Sequence, residues 1–365
     1  MNKNKNNNHF LKHTKSSITN DDDLIYYDIL ATNYTKETSN IRLNFQETRS
    51  SPFLQKPSDF ILSIVRFSLD TYNLPVFIPT IKYESSDPDE TIYSLSVKYK
   101  DKTYIKNITW KSQNLDVSKP SKTVNNFQDY NSTYYYCYTF NYFVNLLNDE
   151  IIELFDEIKD DNTTENFDTE SFYFKFNSNF TFSIVLNNDM EDLEIYFNNG
   201  LYSLFSSFTF IRSSDDVYKL IYKNYEKTEV FEIVQDYSAI DIWTPISSLV
   251  FTSSSLPIVP SQISKPNIFY NNQLISNSNN SNDLNKIITD LEVNQQNYKP
   301  NLLYNPTAEY RYIEMLGDTP LNYIDINVMI KLKDGQLVPF YLSSFGSMTL
   351  KILFKKKDNY LLNYQ

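Results

Sequence analysis

The feature that most limits what this chain can become is a succession of short segments in which apolar and polar residues alternate, each closed by a turn signal. "IRLNFQE" (41–47) alternates as a half-buried strand does, because successive side chains of a strand point to opposite faces. "ETIYSLSVKYKDKTYIKNITW" (90–110) sets Tyr93, Leu95, Val97 and Tyr99 on one face and reads as a hairpin turning at Lys100-Asp101-Lys102. "SFYFKF", "FTFSIVLN", "KIITDLEV", "AEYRYIEML", "YIDINVMIKLKDG", "LVPFYL" and "SMTLKILFKKK" continue the series. "VYKLIYKN" and "VFEIVQDYS" are expected to pair as a hairpin, and Lys333-Asp334-Gly335 fits a turn with glycine at its positive-φ position. "DFILSIVRFSLD" (59–70) is different. Phe60, Leu62, Ile64, Arg66 and Ser68 fall on one side and Ile61, Ser63, Val65, Phe67 and Leu69 on the other. Both sides are largely apolar, which predicts a strand covered on both faces.

One helix stands out. In "FNYFVNLLNDEIIELFDEI" the residues Phe140, Phe143, Val144, Leu147, Ile151, Leu154 and Phe155 recur at helical spacing, with acids on the opposite face. A short helix is expected in "LYSLFSSF", after a turn at Asn198-Asn199-Gly200. Roughly ten to twelve strands with no βαβ alternation predict a mainly all-β chain, a sandwich or barrel. The 30 Tyr and 26 Phe supply the core, since both favour strands and bury large areas. Residues 1–23 read as a polar arm holding Lys3, Lys5, Lys12 and Lys15, and too little of it is apolar to order itself. Residues 271–285 read as an exposed polar loop, and 358–365 as a C-terminal tail.

Chemistry is bounded by what is scarce. Both histidines, His9 and His13, sit in the arm, so Ser-His-Asp and Cys-His catalysis and histidine zinc sites are not available to the body. Cys137 stands alone, forms no intramolecular disulfide and reads as a small buried hydrophobe. Four glycines leave no room for a glycine-rich phosphate loop. A net charge of −12 argues against the body binding nucleic acid, and no apolar run is long enough to span a membrane. The sequons at Asn33, Asn107, Asn131, Asn162 and Asn179 are expected by chance in so Asn-rich a chain. Carboxylates remain: Asp236, Asp241, Asp325, Glu309 and Glu314 could pair for glycoside hydrolysis, and "DDD" (21–23) or "KDDN" could hold calcium, but none has the spacing of a known site. Arg66, inside an apolar strand, must find a carboxylate or a subunit contact, or reach water. Together with Phe67, Trp243, Phe251 and the tyrosine cluster Tyr134, Tyr135 and Tyr136, it is a candidate for core or interface.

Four segments, "PSDFILSIVRFSLDTYNLPVFIP", "IYFNNGLYSLFSSF", "WTPISSLVFTSSSLPIVP" and "EYRYIEMLGDTPLNYIDINVMIKLKDG…MTLKILFKKK", follow one another in an order that resembles the penton (minor capsid) proteins of virophages and polinton-like viruses. The resemblance covers about residues 40–357. It implies a jelly-roll β-sandwich over 24–357 with one long helix, and room for an inserted or second β subdomain around 110–240. It implies a non-enzymatic virion protein without cofactor, a homopentamer at the capsid vertex beside the major capsid protein and other minor capsid proteins. Such a protein is assembled in the host cytoplasm or a viral factory, with the lysine-bearing arm turned toward inner capsid or packaged DNA. The alternative reading of the residues is a host-attachment or carbohydrate-binding β-sandwich.

Overall fold

The structure, a computed structural model, describes residues 23–34, 41–77, 93–108, 137–161, 172–187, 193–223, 229–244, 246–262, 268–270, 273–275, 284–293, 301–304, 311–333, 335 and 337–357. The strands in chain order begin with β1 (Leu24–Thr32), β2 (Ile41–Arg42), β3 (Asn44–Thr48), β4 (Phe60–Asp70), β5 (Ser94–Tyr99) and β6 (Lys102–Asn107), followed by helix α1 (Phe140–Asp161). Then come β7 (Tyr173–Phe176), β8 (Phe182–Asn187), β9 (Leu193–Asn198), helix α2 (Asn199–Leu204), β10 (Phe210–Ser214), β11 (Val217–Leu220), β12 (Val230–Val234) and helix α3 (Ile240–Trp243). The chain continues through β13 (Ile246–Thr252), β14 (Ser261–Gln262), β15 (Ile268–Tyr270), β16 (Gln273–Ile275), β17 (Leu284–Asn285), β18 (Ile287–Glu292) and β19 (Asn301–Tyr304). It ends with β20 (Ile313–Glu314), β21 (Tyr323–Leu332), β22 (Leu337–Pro339), β23 (Tyr341–Leu342) and β24 (Ser347–Lys356). β16 and β17 lie inside the stretch expected to be a polar loop. The arm 1–22 and the tail 358–365 lie outside the described residues.

Two antiparallel sheets form the jelly roll. One has the order β1-β24-β4-β19, and the other is β18-β13-β21, with β3 and β22 both on the far side of β21. In chain order the eight main strands β1, β3, β4, β13, β18, β19, β21 and β24 belong to sheets one, two, one, two, two, one, two and one, which is the jelly-roll connectivity. Their inward rows make one core from residues 27–74 and 246–354, including Phe67, Phe251, Ile324, Ile326, Val328 and Phe354.

β4 corrects a sequence expectation. Its pairing with β24 shifts between Ile64, opposite Ile352, and Arg66, opposite Lys351, so Val65 is an extra residue. This β-bulge turns the side-chain alternation over by one step. Phe60, Leu62 and Ile64 point inward before it, and Phe67 and Leu69 point inward after it. The two apolar sides read from the sequence are therefore halves of a single inward row. Arg66 is exposed rather than in the core.

A second core gathers residues 76–243. It joins the sheet β10-β11-β9-β5-β6, the sheet β12-β8-β7 and the apolar side of α1. The helix begins where Thr139 Oγ1 accepts the backbone N–H of Tyr142 at 3.2 Å, and it buries Leu146 and Ile158 as well as the seven apolar positions named above. Lys106 ties it to β6 through Glu157 at 2.8 Å and Glu153 at 3.3 Å, and Lys102 pairs with Asp161. Trp243 is the hub. Its ring meets those of Phe182 at 4.7 Å, Phe143 at 4.8 Å, Phe77 and Phe205 at 5.4 Å and Phe140 at 5.6 Å. Its Nε1–H donates to Leu204 O at 2.8 Å, so the polar end of the indole is satisfied. The hairpin expected from "VYKLIYKN" and "VFEIVQDYS" does not form: β11 pairs with β9 and β10, whereas β12 pairs with β8 in the other sheet. Asn198 caps α2 by accepting the Leu201 N–H at 2.9 Å, which places Gly200 in the helix rather than in a turn.

A buried carboxylate fastens the loop after β13 to β21. Asp325 accepts from Ser253 Oγ at 2.8 Å, Ser254 Oγ at 2.8 Å, Ser254 N at 3.0 Å and Ser255 N at 2.8 Å. Burial by itself would raise its pKa. The hydrogen bonds from Ser255 and Ser254 outweigh burial and hold the carboxyl well below its usual range. A depressed folded pKa contributes stability above the unfolded value of about 4, and that stability is lost as pH falls toward the folded value.

Two outcomes follow from these features. Deleting Val65 leaves Ile64 and Arg66 as regular neighbours and keeps the inward row intact, so urea unfolding should show a loss below about 1.5 kcal/mol, against about 3–5 kcal/mol for Phe67→Ala. Equal losses would mean that the bulge does more than set register. Asp325→Asn should cost on the order of 3 kcal/mol at pH 7, and its deficit against the parent should shrink as pH is lowered below about 4. A deficit that does not change with pH would contradict the charged, hydrogen-bonded state.

Candidate functional site

The four described carboxylates weighed for glycoside hydrolysis lie on separate elements. Asp325 is committed to the serine loop, while Asp236 after β12, Asp241 in α3 and Glu314 in β20 are exposed on separate elements. Glu309 lies outside the described residues. Of the acidic runs weighed for calcium, Asp23 pairs with Lys356 at 3.5 Å and Asp161 with Lys102. No group of three His, Cys, Asp or Glu among the described residues is placed to hold a metal. Cys137 is buried, its thiol donates to Thr139 O at 2.9 Å, and burial pushes its pKa up to about 12, so it stays protonated and unreactive at neutral pH. No described helix is long and apolar enough to cross a membrane.

The residues expected at core or interface are sorted by their positions. Phe67 and Phe251 face each other across the sandwich at 5.1 Å between ring centroids, and Trp243 is the hub of the second core, so all three are core. Arg66 is on the surface, opposite Lys351 in the register. Tyr134, Tyr135 and Tyr136, and the arm lysines Lys3, Lys5, Lys12 and Lys15, lie outside the described residues.

What the surface of the jelly roll does offer is exposed apolar side chains in particular places. Tyr26 and Leu30 project from β1, Tyr34 follows it, Leu303 projects from β19, and Tyr312 precedes β20. Tyr72 and Phe345 stand at the ends of β4 and β24. Phe345 sits at φ +60 and is held there by its N–H to Asn33 O at 2.8 Å and by Asn33 N–H to Gly346 O at 3.0 Å. A side chain at Gly346 would crowd Ser343, because a Cβ would lie 2.8 Å from its Oγ and 3.0 Å from its O. Sequence reading missed these positions. The alternation of "LIYYDILAT" does put Leu30 on the same face as Asp28, and a large apolar residue sharing a face with a charge was the available signal.

β1 is anchored beneath by Tyr27, whose hydroxyl donates to Glu47 Oε2 at 2.5 Å while the Arg49 guanidinium lies 4.5 Å from its ring centre. Burial, and then the bond to Glu47, raise the Tyr27 pKa to about 12. Charge is unevenly divided along the chain. Residues 71–245 hold 28 Asp and Glu against 14 Lys and Arg, a formal −14, whereas the other 190 residues, with 17 acids and 19 bases, carry +2. The jelly-roll strands are thus nearly neutral and edged with apolar groups, and the stretch between β4 and β13 is strongly acidic.

Comparison with known proteins places this architecture. Residues 25–356 match the family described as Sputnik minor capsid protein V18/19. Protein V18 of Sputnik virophage, itself described as uncharacterized, is 33% identical over 148 residues, which is 37% of this chain and 84% of V18. A chain of the Sputnik virophage structure determined by cryo-EM at 3.5 Å superposes with a TM-score of 0.71 at 22% identity, over 94% of this chain and 99% of that one. The crystal structure of the mavirus penton protein superposes with a TM-score of 0.61 at 19% identity, over 92% and 99%. Both share the fold, and the family match takes in the jelly roll together with everything between β4 and β13. The chain therefore belongs to the Sputnik minor capsid protein V18/19 family and is a structural protein of the virion.

Proposed function

We propose that this minor capsid protein is the pentameric vertex component of an icosahedral capsid, acting by fit rather than by chemistry. The observation that carries the reading is the family match over residues 25–356, joined to a fold shared with a penton protein. The separation of the four described candidate carboxylates and the protonated Cys137 support a non-enzymatic role. The unit between β4 and β13 is, in this reading, a subdomain inserted into the jelly roll. Its −14 charge repels the same unit on neighbouring copies, which favours contact through the nearly neutral jelly rolls. The major capsid protein is the expected neighbour, the capsid vertex the expected location, and the host cytoplasm or a viral factory the expected place of assembly. Four lysines within the first 15 residues support an inward role for the arm, against inner capsid or packaged DNA. The family match does not favour the attachment or carbohydrate-binding alternative.

Mass photometry of the purified chain should show a five-copy species whose share rises with protein concentration. It should also rise between about 0.01 M and 0.15 M salt, as repulsion between acidic units is screened. Negative-stain images should show fivefold rings. Monomers at every concentration and salt, with no binding to a major capsid protein, would overturn the assignment.

A further inference from the structure

Exposed apolar residues on the outer face of the sheet β1-β24-β4-β19 are confined to its two edges. Tyr26 (53% exposed) and Leu30 (67%) belong to β1; Leu303 (72%) belongs to β19 at the opposite edge, and Tyr312 (50%) precedes β20, which also pairs with β4. The middle strands present Arg66, with Ser68, Thr349, Lys351 and Lys355 half-buried, and among them the half-buried Ile61 and Val65 and the buried Leu353. A face that docks flat on a partner concentrates exposed apolar groups at its centre; here the most exposed ones stand at the edges. The two leucines also share one cross-strand row. Leu30 lies opposite Thr349, Thr349 opposite Ser68, and Ser68 opposite Leu303. The row spans about 14 Å from strand to strand.

Among the described residues the β1 edge is unpaired. β1 is a nine-residue strand without proline or lysine, its register with β24 has no bulge, and no described strand pairs with its outer side. Its one charged residue, Asp28, is paired with Lys351 on the neighbouring strand at 3.6 Å. Free edges of this length are normally blunted, because they template pairing with another chain. Three other edges are blunted: β10 carries a bulge, β22 contains Pro339, and the edge of β7 is covered by Asn148 of α1, which accepts from Phe174 N at 2.8 Å and donates to Phe174 O at 2.9 Å.

We propose that the β1 edge of one copy packs beside the β19–β20 edge of a second copy, with Leu30 next to Leu303, as the repeating seam of the assembly. The inference rests on self-association, as read under the proposed function. Three successive antiparallel pairings make β1 antiparallel to β19, so a second copy set beside the first by a sideways shift brings an antiparallel strand to the open edge. Two different edges meet, so the contact is heterologous and can close into a ring. It joins the near-neutral parts of the two chains and not their acidic stretches.

Leu30→Cys and Leu303→Cys are prepared separately, mixed under assembly conditions and oxidised. Strand neighbours lie within disulfide reach. A cross-linked dimer should form in the mixture and in neither variant alone, and the double variant should give a ladder ending at the closed ring. Cys137 is buried and stays out of the exchange. Leu30→Asp should weaken association by about tenfold or more, as loss of an interface anchor does, with an unchanged monomer melting curve. Cross-linking of Leu30→Cys with itself would overturn the seam in favour of a two-fold contact. Oligomers that form without a cross-link in the mixture would overturn the seam and leave the oligomer standing. Absence of any oligomer would overturn both.

Discussion

Phe67 on β4 meets Phe251 on β13 at 5.1 Å and Tyr304 on β19 at 5.4 Å, and through the first of these contacts the two sheets of the jelly roll hold together. Both phenylalanines are fully buried, each contributing about 1.5–3 kcal/mol of hydrophobic stabilisation. That contact depends on Val65 bulging out of the register with β24 instead of taking a regular place in it. With strict alternation from Phe60, Arg66 would point into the sandwich and Phe67 out of it. An unpaired guanidinium in that core would cost several kcal/mol, more than the bulge does. Bulging this one residue out thus keeps a single inward apolar row along the 11 residues of β4.

β4 is also where the chain leaves the jelly roll. Asp70 is opposite Asn301, and the chain returns at Ile246, opposite Leu332. Between these points it builds a core of its own around Trp243, with residues 76–243 on one side of the ledger and 27–74 with 246–354 on the other. A long excursion between two strands is tolerated because loop-closure entropy grows slowly with length and because the excursion buries its own apolar surface. Its composition is then free to differ from that of its host, which is how 28 acids come to lie within one stretch while the jelly roll stays near neutrality.

Local periodicity made much of this legible. The β5–β6 turn falls at Lys100, which has φ +53, and α1 buries each of the seven apolar positions that helical spacing selects. Gly335 has the positive φ, +83, that its turn was expected to require. What periodicity could not reveal is pairing between strands far apart in the chain. The bulge at Val65 is defined by its partner β24, nearly three hundred residues on, so the sequence of β4 alone shows two apolar faces where there is one. β11 and β12 are neighbours in sequence, but their apolar sides are drawn into different sheets. Asp325 looked like any carboxylate among five, because its three serine partners lie some seventy residues earlier and only the fold of β13 onto β21 brings them to it.

Assembly sets opposing demands on one surface. An edge that will pair with a neighbour must stay free of the prolines, lysines and bulges that protect other edges, yet a free subunit with such an edge is prone to associate in the wrong register. The acidic stretch answers part of this. Its −14 charge gives every subunit a repulsive field that falls off within about 8 Å at physiological salt. Arrangements that press two acidic stretches together are penalised, whereas arrangements that keep them apart and bring jelly rolls edge to edge are not. The charge therefore narrows the set of permitted contacts, and in the proposed seam the exposed Leu30 and Leu303, at the two ends of one cross-strand row, would supply short-range attraction within that set.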